Sequence, residues 1–347
     1  MLMQVQGNLL EADAEALVNT VNTVGVMGKG IALQFKKAFP ENFAAYKRAC
    51  DGNEVVPGKM FVFETNGLHN PKYIINFPTK RHWRERSRMA DIEEGLRDLA
   101  ATVVRLGIHR VAVPPLGCGN GGLDWGRVFP RMETLLSELP DVQFLVYAPN
   151  GAPTPQEMPN RTTRPRMTAG RAAVLGLIRR YGVAGYRTTL LEVQKLVYFL
   201  QVAGEPLERV QFVRGKYGPY ADTLRHVLNR MEGHFIQGYG DGANRPGDSI
   251  ELLGDAMQEA EAFLEGHKET KKRFDRVTRL IEGFETPYGM ELLATVHWVG
   301  ANEDMLARGD VDAAIAGVKA WSARKKEMFK PEHIKVAWTR LNEQQWW

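Results

Sequence analysis

Apolar and polar residues follow two different periodicities in the first 150 residues of the chain. Short runs rich in Val, Ile, Leu and Phe predict strands at 3–6, 16–21, 60–64, 73–77, 110–113 and 142–147. Apolar residues at helical spacing predict helices at 31–39, 42–50, 91–106 and 128–139. This alternation indicates an α/β unit whose largely parallel sheet carries helices on both faces. The runs at 60–64 and 73–77 also suit an antiparallel hairpin.

The pattern changes after residue 150. Five prolines between 149 and 165, without apolar periodicity, predict a linker at 151–168. Beyond it, helical spacing recurs at 172–180, 190–202, 256–266, 271–283 and 288–299. The 347 residues exceed what one core usually supports. We therefore expect an α/β domain over 1–150 and a mainly α-helical second domain over 169–347.

Composition narrows the class of protein. Hydrophobic residues make up 44% and charged residues 25%, as in soluble globular proteins. No apolar run suits a membrane span and the polar start is unlike a signal peptide, so we expect a cytoplasmic protein without a membrane partner. Two cysteines and no histidine ligand motif predict no disulfide framework, no metal and no cofactor. The net charge of +4 is too small for non-specific nucleic-acid binding, so any such contact is expected to be local.

A glycine-rich loop follows the strand at 16–21 and opens a helix. It contains Gly25, Gly28 and Gly30. Glycines let the backbone approach a ligand, and a helix N-terminus offers free N–H groups, which suits a phosphate or diphosphate. The spacing fits neither the Rossmann motif nor the P-loop. By itself the loop is equally compatible with a turn that binds nothing.

A second glycine-rich loop, at 114–125, also follows a strand and precedes a helix. Ligands of open α/β sheets lie beyond the carboxyl ends of the strands, where such loops meet. Two loops at the same edge would hold a diphosphate from both sides. The pair therefore favours a ligand site over two unrelated turns.

These loops, with the segments 7–9 and 18–22, resemble the macrodomain family over about residues 1–150. The resemblance implies a three-layer α/β/α sandwich with a mixed sheet, and ADP-ribose as the ligand. Asn8, Leu9 and Tyr147 would lie by the adenine and Asn22 by the distal ribose. The full set of implied ADP-ribose-binding residues is Asn8, Leu9, Asn22, Gly28, Lys29, Gly30, Ile31, Gly117, Cys118, Gly119, Asn120, Gly121 and Tyr147.

Lys80 lies just beyond the predicted strand at 73–77, where a lysine is ordinarily a solvated surface charge. Similarity to the glycohydrolase branch of macrodomains implies that Lys80 is catalytic. Its amine would attack C1 of the distal ribose, which requires a lowered pKa, or stabilise developing charge. Relatives that act on protein-linked ADP-ribose pair this lysine with an aspartate, but here Gly121 stands at that position and Asp124 follows three residues later. Cys118 is interpreted as a small packed residue rather than a nucleophile.

The stretch 80–88 carries five basic residues, one acid and Trp83. Such runs are commonly solvated loops. Beside the lysine, however, it predicts a contact with single-stranded DNA in which arginines bind phosphates and the indole stacks on a base. The predicted DNA-binding residues are Arg81, Trp83, Arg84 and Arg86.

The segments 191–201 and 215–221 resemble SocA-like (Panacea) antitoxin domains. Physically they predict a packed helix, then a stop at Gly218-Pro219 and a new helix at Tyr220. A macrodomain followed by such a domain resembles the DarG antitoxins, whose DarT-type toxin partner ADP-ribosylates thymidine in single-stranded DNA. The resemblance implies an enzyme that removes ADP-ribose from that DNA, and a second domain that binds the toxin. The alternatives are an ADP-ribose reader without turnover, or a hydrolase of ADP-ribosylated protein or O-acetyl-ADP-ribose.

Overall fold

The computed structural model describes residues 1–149, 153–182, 187–241 and 248–347. The chain divides into two compact units, Met1–Thr163 with Gly240–Ala243, and Arg164–Tyr239 with Asn244–Trp347. The division after Thr163 falls inside the stretch 151–168 that was predicted as a linker. Residues 151 and 152 of that stretch lie outside the described residues.

The first unit is built on one six-stranded sheet. Its strands are β1 (Leu2–Val5), β2 (Ala16–Asn22), β3 (Phe61–Glu64), β4 (Tyr73–Lys80), β5 (Arg110–Val113) and β6 (Gln143–Tyr147). Its helices are α1 (Gly30–Ala38), α2 (Pro40–Asp51), α3 (Met89–Leu106) and α4 (Trp125–Leu136). The strand order is β1-β6-β5-β2-β4-β3, and every pair is parallel except β3 with β4. The mixed sheet is confirmed, and the hairpin interpretation of its edge is the correct one.

Successive residues of the central strands pack on opposite faces of the sheet. Val18 of β2 and Ile75 of β4 belong to one core with α3 and α4. Leu17 and Ile74, their direct neighbours, belong to another core with Phe35 of α1. This period of two, with helices on both sides, makes the unit a three-layer α/β/α sandwich.

Three buried amides connect the sheet to α2. Asn19 and Asn76 lie opposite each other in the β2–β4 register, and Asn19 Nδ2 donates to Asn76 Oδ1 at 3.0 Å. Asn76 Nδ2 donates to Asn42 Oδ1 at 2.7 Å. All three side chains are fully buried, and these bonds replace part of the water contacts that the amides lose on folding; Asn19 Oδ1 has no partner among the described residues.

The second unit is mainly helical. Its helices are α5 (Ala169–Gly182), α6 (Leu190–Val202), α7 (Leu224–Met231), α8 (Ala256–Glu265), α9 (Lys268–Ile281), α10 (Pro287–Trp298), α11 (Val311–Ala320), α12 (Ala323–Met328) and α13 (Pro331–Glu343). Four short strands are β7 (Val213–Gly215), β8 (Gly218–Tyr220), β9 (Ile236–Gln237) and β10 (Glu251–Leu252). Long stretches of α5, α6 and α10 are buried on all sides, which makes them the centre of this unit's core. No helix in the described part of the chain is long and apolar enough to cross a membrane.

The helix predicted to begin at Tyr220 is wrong. The residue ends β8, which pairs with β7 in a small antiparallel hairpin. Side chains of α6 hold this backbone extended: Lys195 Nζ donates to the carbonyl of Pro219 at 2.7 Å, and the amide of Gln194 bonds both backbone groups of Ala221. The residues Gly218 and Pro219, predicted to end one helix before another, thus lie in a strand that is held by tertiary contacts. Helix α7 begins only after this strand.

Candidate active site

The carboxyl ends of β2 and β4 lie side by side at one edge of the sheet. The ladder between them contains a bulge at Val21 and Asn22, after which Asn22 lies opposite Lys80. The prediction that Lys80 follows the strand is therefore corrected, because β4 continues to this residue as the partner of β2. A bulge commonly redirects a side chain next to a functional site. It here brings the lysine to the edge from which both glycine loops leave.

Asn22 braces the first glycine loop. Its Oδ1 accepts the N–H groups of Val24 at 3.0 Å and Val26 at 3.3 Å, and its Nδ2 donates to the Val26 carbonyl at 2.6 Å. The buried Tyr46 hydroxyl donates to the Asn22 carbonyl at 2.6 Å. The Asn22 amide thus shapes the loop, and its predicted position by the distal ribose stays a prediction.

The first glycine loop is exposed at Gly28 and Lys29, whereas the N–H of Gly30 at the start of α1 already has a partner. Helix α1 begins at Gly30 without a side-chain cap. Gly30 has a φ of +61°, and its N–H donates to the carbonyl of Asp241 at 3.1 Å within the same unit. A Cβ added at Gly30 would lie 3.0 Å from Nδ2 of Asn120, so the two glycine loops approach each other closely.

The second loop is packed so tightly that no side chain fits at Gly121. A Cβ added there would lie 2.2 Å from the carbonyl oxygen of Gly117 and 2.3 Å from Oγ of Ser87. Gly117 itself has a φ of +71° and is buried, whereas Gly119 is exposed with open space around it. The aspartate that resemblance places at position 121 in other macrodomains is therefore sterically excluded from this loop.

Lys80 connects its strand to the second loop. Its Nζ donates to the carbonyl of Asn120, and the side chain is partly buried. Burial lowers the pKa of the Lys80 amine below its usual 10.5. The structure thus gives the lysine an uncharged acceptor and no carboxylate partner among the described residues.

Cys118 is no nucleophile at neutral pH. Burial, with a smaller contribution from Asp124, raises the pKa of its thiol to about 11, so the reactive thiolate is scarce. Within the described ranges, no group of three or more His, Cys, Asp or Glu side chains is arranged to hold a metal ion. The groups available for chemistry at this edge of the sheet are the Lys80 amine, backbone N–H and carbonyl groups, and side-chain amides.

An apolar cluster brings together three predicted adenine-side and loop residues. Leu9 is buried in the core that contains Phe35, and Ile31 and Tyr147 pack against the same core. Asn8 instead uses its side chain locally: Oδ1 accepts the N–H of Leu10 at 3.1 Å, and Nδ2 donates to a backbone carbonyl at 2.9 Å. The adenine contacts of these residues stay predictions.

In the basic stretch after Lys80, one arginine is held by an ion pair and other side chains are exposed to solvent. Arg81 forms a bidentate ion pair with the buried Asp91, with Nη2 to Oδ1 at 2.9 Å, which ties the stretch to α3. Trp83 is 41% exposed, and the Arg84 guanidinium lies 4.5 Å from its ring centroid. Arg86 is exposed beside the second glycine loop. Among the four residues predicted to bind DNA, Arg81 already has the Asp91 carboxylate as its partner. The DNA contacts of all four residues stay predictions.

Ser87 was missed by the sequence analysis. Its N–H donates to the carbonyl of Gly121 at 3.0 Å, and its side chain is buried against the same glycine. Sequence offers no signal for this, because a serine inside a basic run resembles any other polar loop residue. Its packing nevertheless decides which side chain position 121 tolerates.

Replacing Gly121 by alanine is expected to weaken ADP-ribose binding about tenfold, because relieving the overpacking costs about 1–3 kcal/mol and moves the loop. Titration calorimetry with ADP-ribose measures this. Gly254→Ala, at a position with open space and no positive φ, serves as the matched control and should leave affinity unchanged. Equal affinities for the two variants, with both folded by circular dichroism, would contradict the steric argument.

Comparison with known proteins identifies the family. Residues 18–132 match the Macro domain profile. The chain is 48% identical over 338 residues to the DNA ADP-ribosyl glycohydrolase of Thermus aquaticus, covering 97% of this chain and 92% of that protein. It is 35% identical over 163 residues to a DNA ADP-ribosyl transferase–DNA ADP-ribosyl glycohydrolase fusion protein of Thermosipho africanus, covering 43% and 42% of the two chains. The solved macrodomain of Mycobacterium tuberculosis DarG is 57% identical, with 43% of this chain and 99% of that one covered and a TM-score of 0.43. Given the near-full-length relationship, the chain belongs to the DNA ADP-ribosyl glycohydrolase (DarG) family.

Proposed function

We propose that this chain hydrolyses the bond between ADP-ribose and thymidine in ADP-ribosylated single-stranded DNA. The two glycine loops would hold the diphosphate, and the distal ribose would lie against Lys80. The observation that carries this proposal is the position of the Lys80 amine, which bonds the Asn120 carbonyl where the two loops meet. The name of the full-length relative supports the same substrate class.

The reaction breaks the bond between C1 of the distal ribose and the base, and the electron pair leaves with the base. In one route the neutral Lys80 amine forms a bond to C1 as the bond to the base breaks, and the proton that the amine loses goes to the departing base. The sugar ring then opens to an iminium, and water releases ADP-ribose and restores the amine. In the other route the protonated amine stabilises developing charge while water attacks C1 directly. The lowered pKa of Lys80 favours the first route.

Lys80→Ala is expected to reduce release of ADP-ribose from modified DNA by about 10²–10³-fold, because it removes the reacting or charge-stabilising group. Affinity for free ADP-ribose should change little. Gel assays measure the release of ADP-ribose from modified DNA, and calorimetry measures the affinity for free ADP-ribose. Replacement of the exposed Lys72 by alanine is the matched control. Undiminished release by Lys80→Ala would exclude the lysine from the mechanism.

The pH dependence of the same release separates the two routes. If the amine attacks, the rate rises with pH as the ammonium loses its proton, and levels off below the ordinary lysine pKa of 10.5. If the ammonium stabilises charge, the rate falls over that interval. Borohydride added during turnover should trap a covalent adduct on the wild type and none on Lys80→Ala.

Two alternative functions, an ADP-ribose reader and a hydrolase of other substrates, can be distinguished by the substrates from which ADP-ribose is released. A reader would bind ADP-ribose and release nothing from any substrate. A hydrolase of ADP-ribosylated protein or O-acetyl-ADP-ribose would release ADP-ribose from those esters in preference to DNA. The exclusion of a carboxylate from position 121 favours DNA, because resemblance assigns that acid to protein-directed relatives.

Contact with the DNA strand is assigned to the exposed part of the basic stretch. Neither Arg84 nor Arg86 forms an ion pair with a described residue, and the Trp83 side chain is 41% exposed, with the Arg84 guanidinium over its ring. The double replacement Arg84→Ala/Arg86→Ala should lower activity on modified DNA more than affinity for ADP-ribose, and should flatten its salt dependence by roughly 0.7 per lost phosphate contact. Arg105→Ala, an exposed arginine on α3, is the control. Equal losses for DNA and ADP-ribose would contradict this assignment.

The second unit is proposed to bind a DarT-type transferase. The resemblance to SocA-like domains supports this, as does the fusion relative, whose name joins transferase and glycohydrolase in one protein. Full-length chain should co-elute with a DarT-type toxin in gel filtration. Lys80→Ala should co-elute equally, because the catalytic lysine belongs to the other unit. Failure of the wild type to form a complex would contradict the proposal. The cytoplasmic location stays a prediction.

A further inference from the structure

The second unit contains a cleft of about 540 Å³ that the proposed function does not use. It is bordered by the end of α6, by residues 210–212, by α9, by the turn after α10, and by residues 346 and 347. This volume is in the range of pockets that bind small organic molecules. Its lining combines aromatic rings with cationic side chains.

Five of the described residues that line the cleft carry a phenyl, phenol or indole ring. Tyr198 contacts Phe212 edge-on with ring centroids 5.2 Å apart, and lies 6.0 Å from Trp298. Phe212, Trp298 and Trp347 are partly exposed, although each is large and apolar. The Phe212 and Trp298 rings can receive a flat ligand by stacking.

A buried histidine fixes these rings in place. His297 bonds the Tyr198 hydroxyl through Nδ1 at 2.7 Å and the Trp346 carbonyl through Nε2 at 2.9 Å. Burial lowers the pKa of His297 to about 4, so the ring is neutral under ordinary conditions. Its plane lies parallel to Trp347 at 5.5 Å. The walls are therefore ordered before any ligand arrives.

The turn after α10 is a π-helix, Val299–Glu303, and it shapes the same cleft. A Cβ at Gly300 would lie 2.5 Å from the Trp347 ring, so the indole rests directly on the backbone of this turn. The turn also places Asn302 on the cleft wall. π-Turns are uncommon and are frequently found at functional sites.

The side chains that line the cleft include two arginines and no carboxylate among the described residues. Arg308 donates from Nε to the Gly300 carbonyl at 2.8 Å, and Arg276 donates from Nη2 to the Gln345 carbonyl at 2.6 Å. Neither arginine forms an ion pair with a described residue, and no Asp or Glu is among the described residues that line the cleft. Backbone carbonyls orient both guanidinium groups but leave their charge available to a ligand.

From this arrangement we propose that the cleft binds a nucleobase together with its phosphate, as part of a single-stranded nucleic acid. Stacking platforms combined with a cationic groove are the usual means of holding such strands without sequence preference. This binding site is separate from the catalytic edge of the first unit and requires no step of the proposed hydrolysis.

The test uses full-length protein and a fluorescently labelled, unmodified oligothymidylate in anisotropy titrations. Trp298→Ala should weaken binding about tenfold, the order expected for the loss of one stacked base. Because Trp298 also packs in the core, the exposed Gln211→Glu provides a second variant that adds a negative charge to the cleft without disturbing packing. It should weaken binding several-fold, while Gln4→Glu, exposed on the other unit, should not.

Binding that survives both cleft variants unchanged would overturn the proposal, as would a wild type that does not bind the oligonucleotide. Binding that is lost only in Arg84→Ala/Arg86→Ala would assign the strand to the first unit and also overturn it. An acidic peptide that binds more tightly than the oligonucleotide, and is sensitive to Gln211→Glu, would identify a protein ligand instead. The Lys80 experiments measure release of ADP-ribose rather than oligonucleotide binding. The proposed hydrolysis and the proposed cleft can therefore each fail without the other.

Discussion

The pairing of β2 with β4 through to their last residues is the constraint on which the candidate active site depends. Each strand feeds one part of the site: β2 leads into the first glycine loop, and β4 ends at Lys80. Their register, with its single bulge, sets Asn22 opposite the lysine. Because a shift of one residue reverses the direction of every side chain, this register decides whether the amine reaches the second loop at all.

The exclusion of a side chain at position 121 gives the site its chemical character. A carboxylate at this position would put a negative charge beside the lysine and favour its protonated form. Here the neighbouring group is the uncharged carbonyl of Asn120, and partial burial disfavours the ammonium. The second glycine loop, which was predicted to contact a diphosphate, therefore also supplies the hydrogen-bond partner of the Lys80 amine.

Sequence patterns were sufficient for the α/β layers and both glycine loops, because strand and helix periodicities were strong and glycines mark the turns. They were insufficient where distant side chains decide the outcome. The extended backbone at Tyr220 depends on Gln194 and Lys195 from α6, which no local pattern reveals. The pairing of Arg81 with Asp91 joins residues ten positions apart across a loop, so an apparently free basic run proved to be partly anchored.

The amide network of Asn19, Asn42 and Asn76 joins β2 and β4 to α2 and is buried throughout. Unlike carboxylates, amides neither gain nor lose protons between acid and alkaline solution. The hydrogen bonds that join the two strands of the site to α2 therefore do not depend on pH. Any loss of activity in acid would then have to arise elsewhere than in protonation of this inner layer.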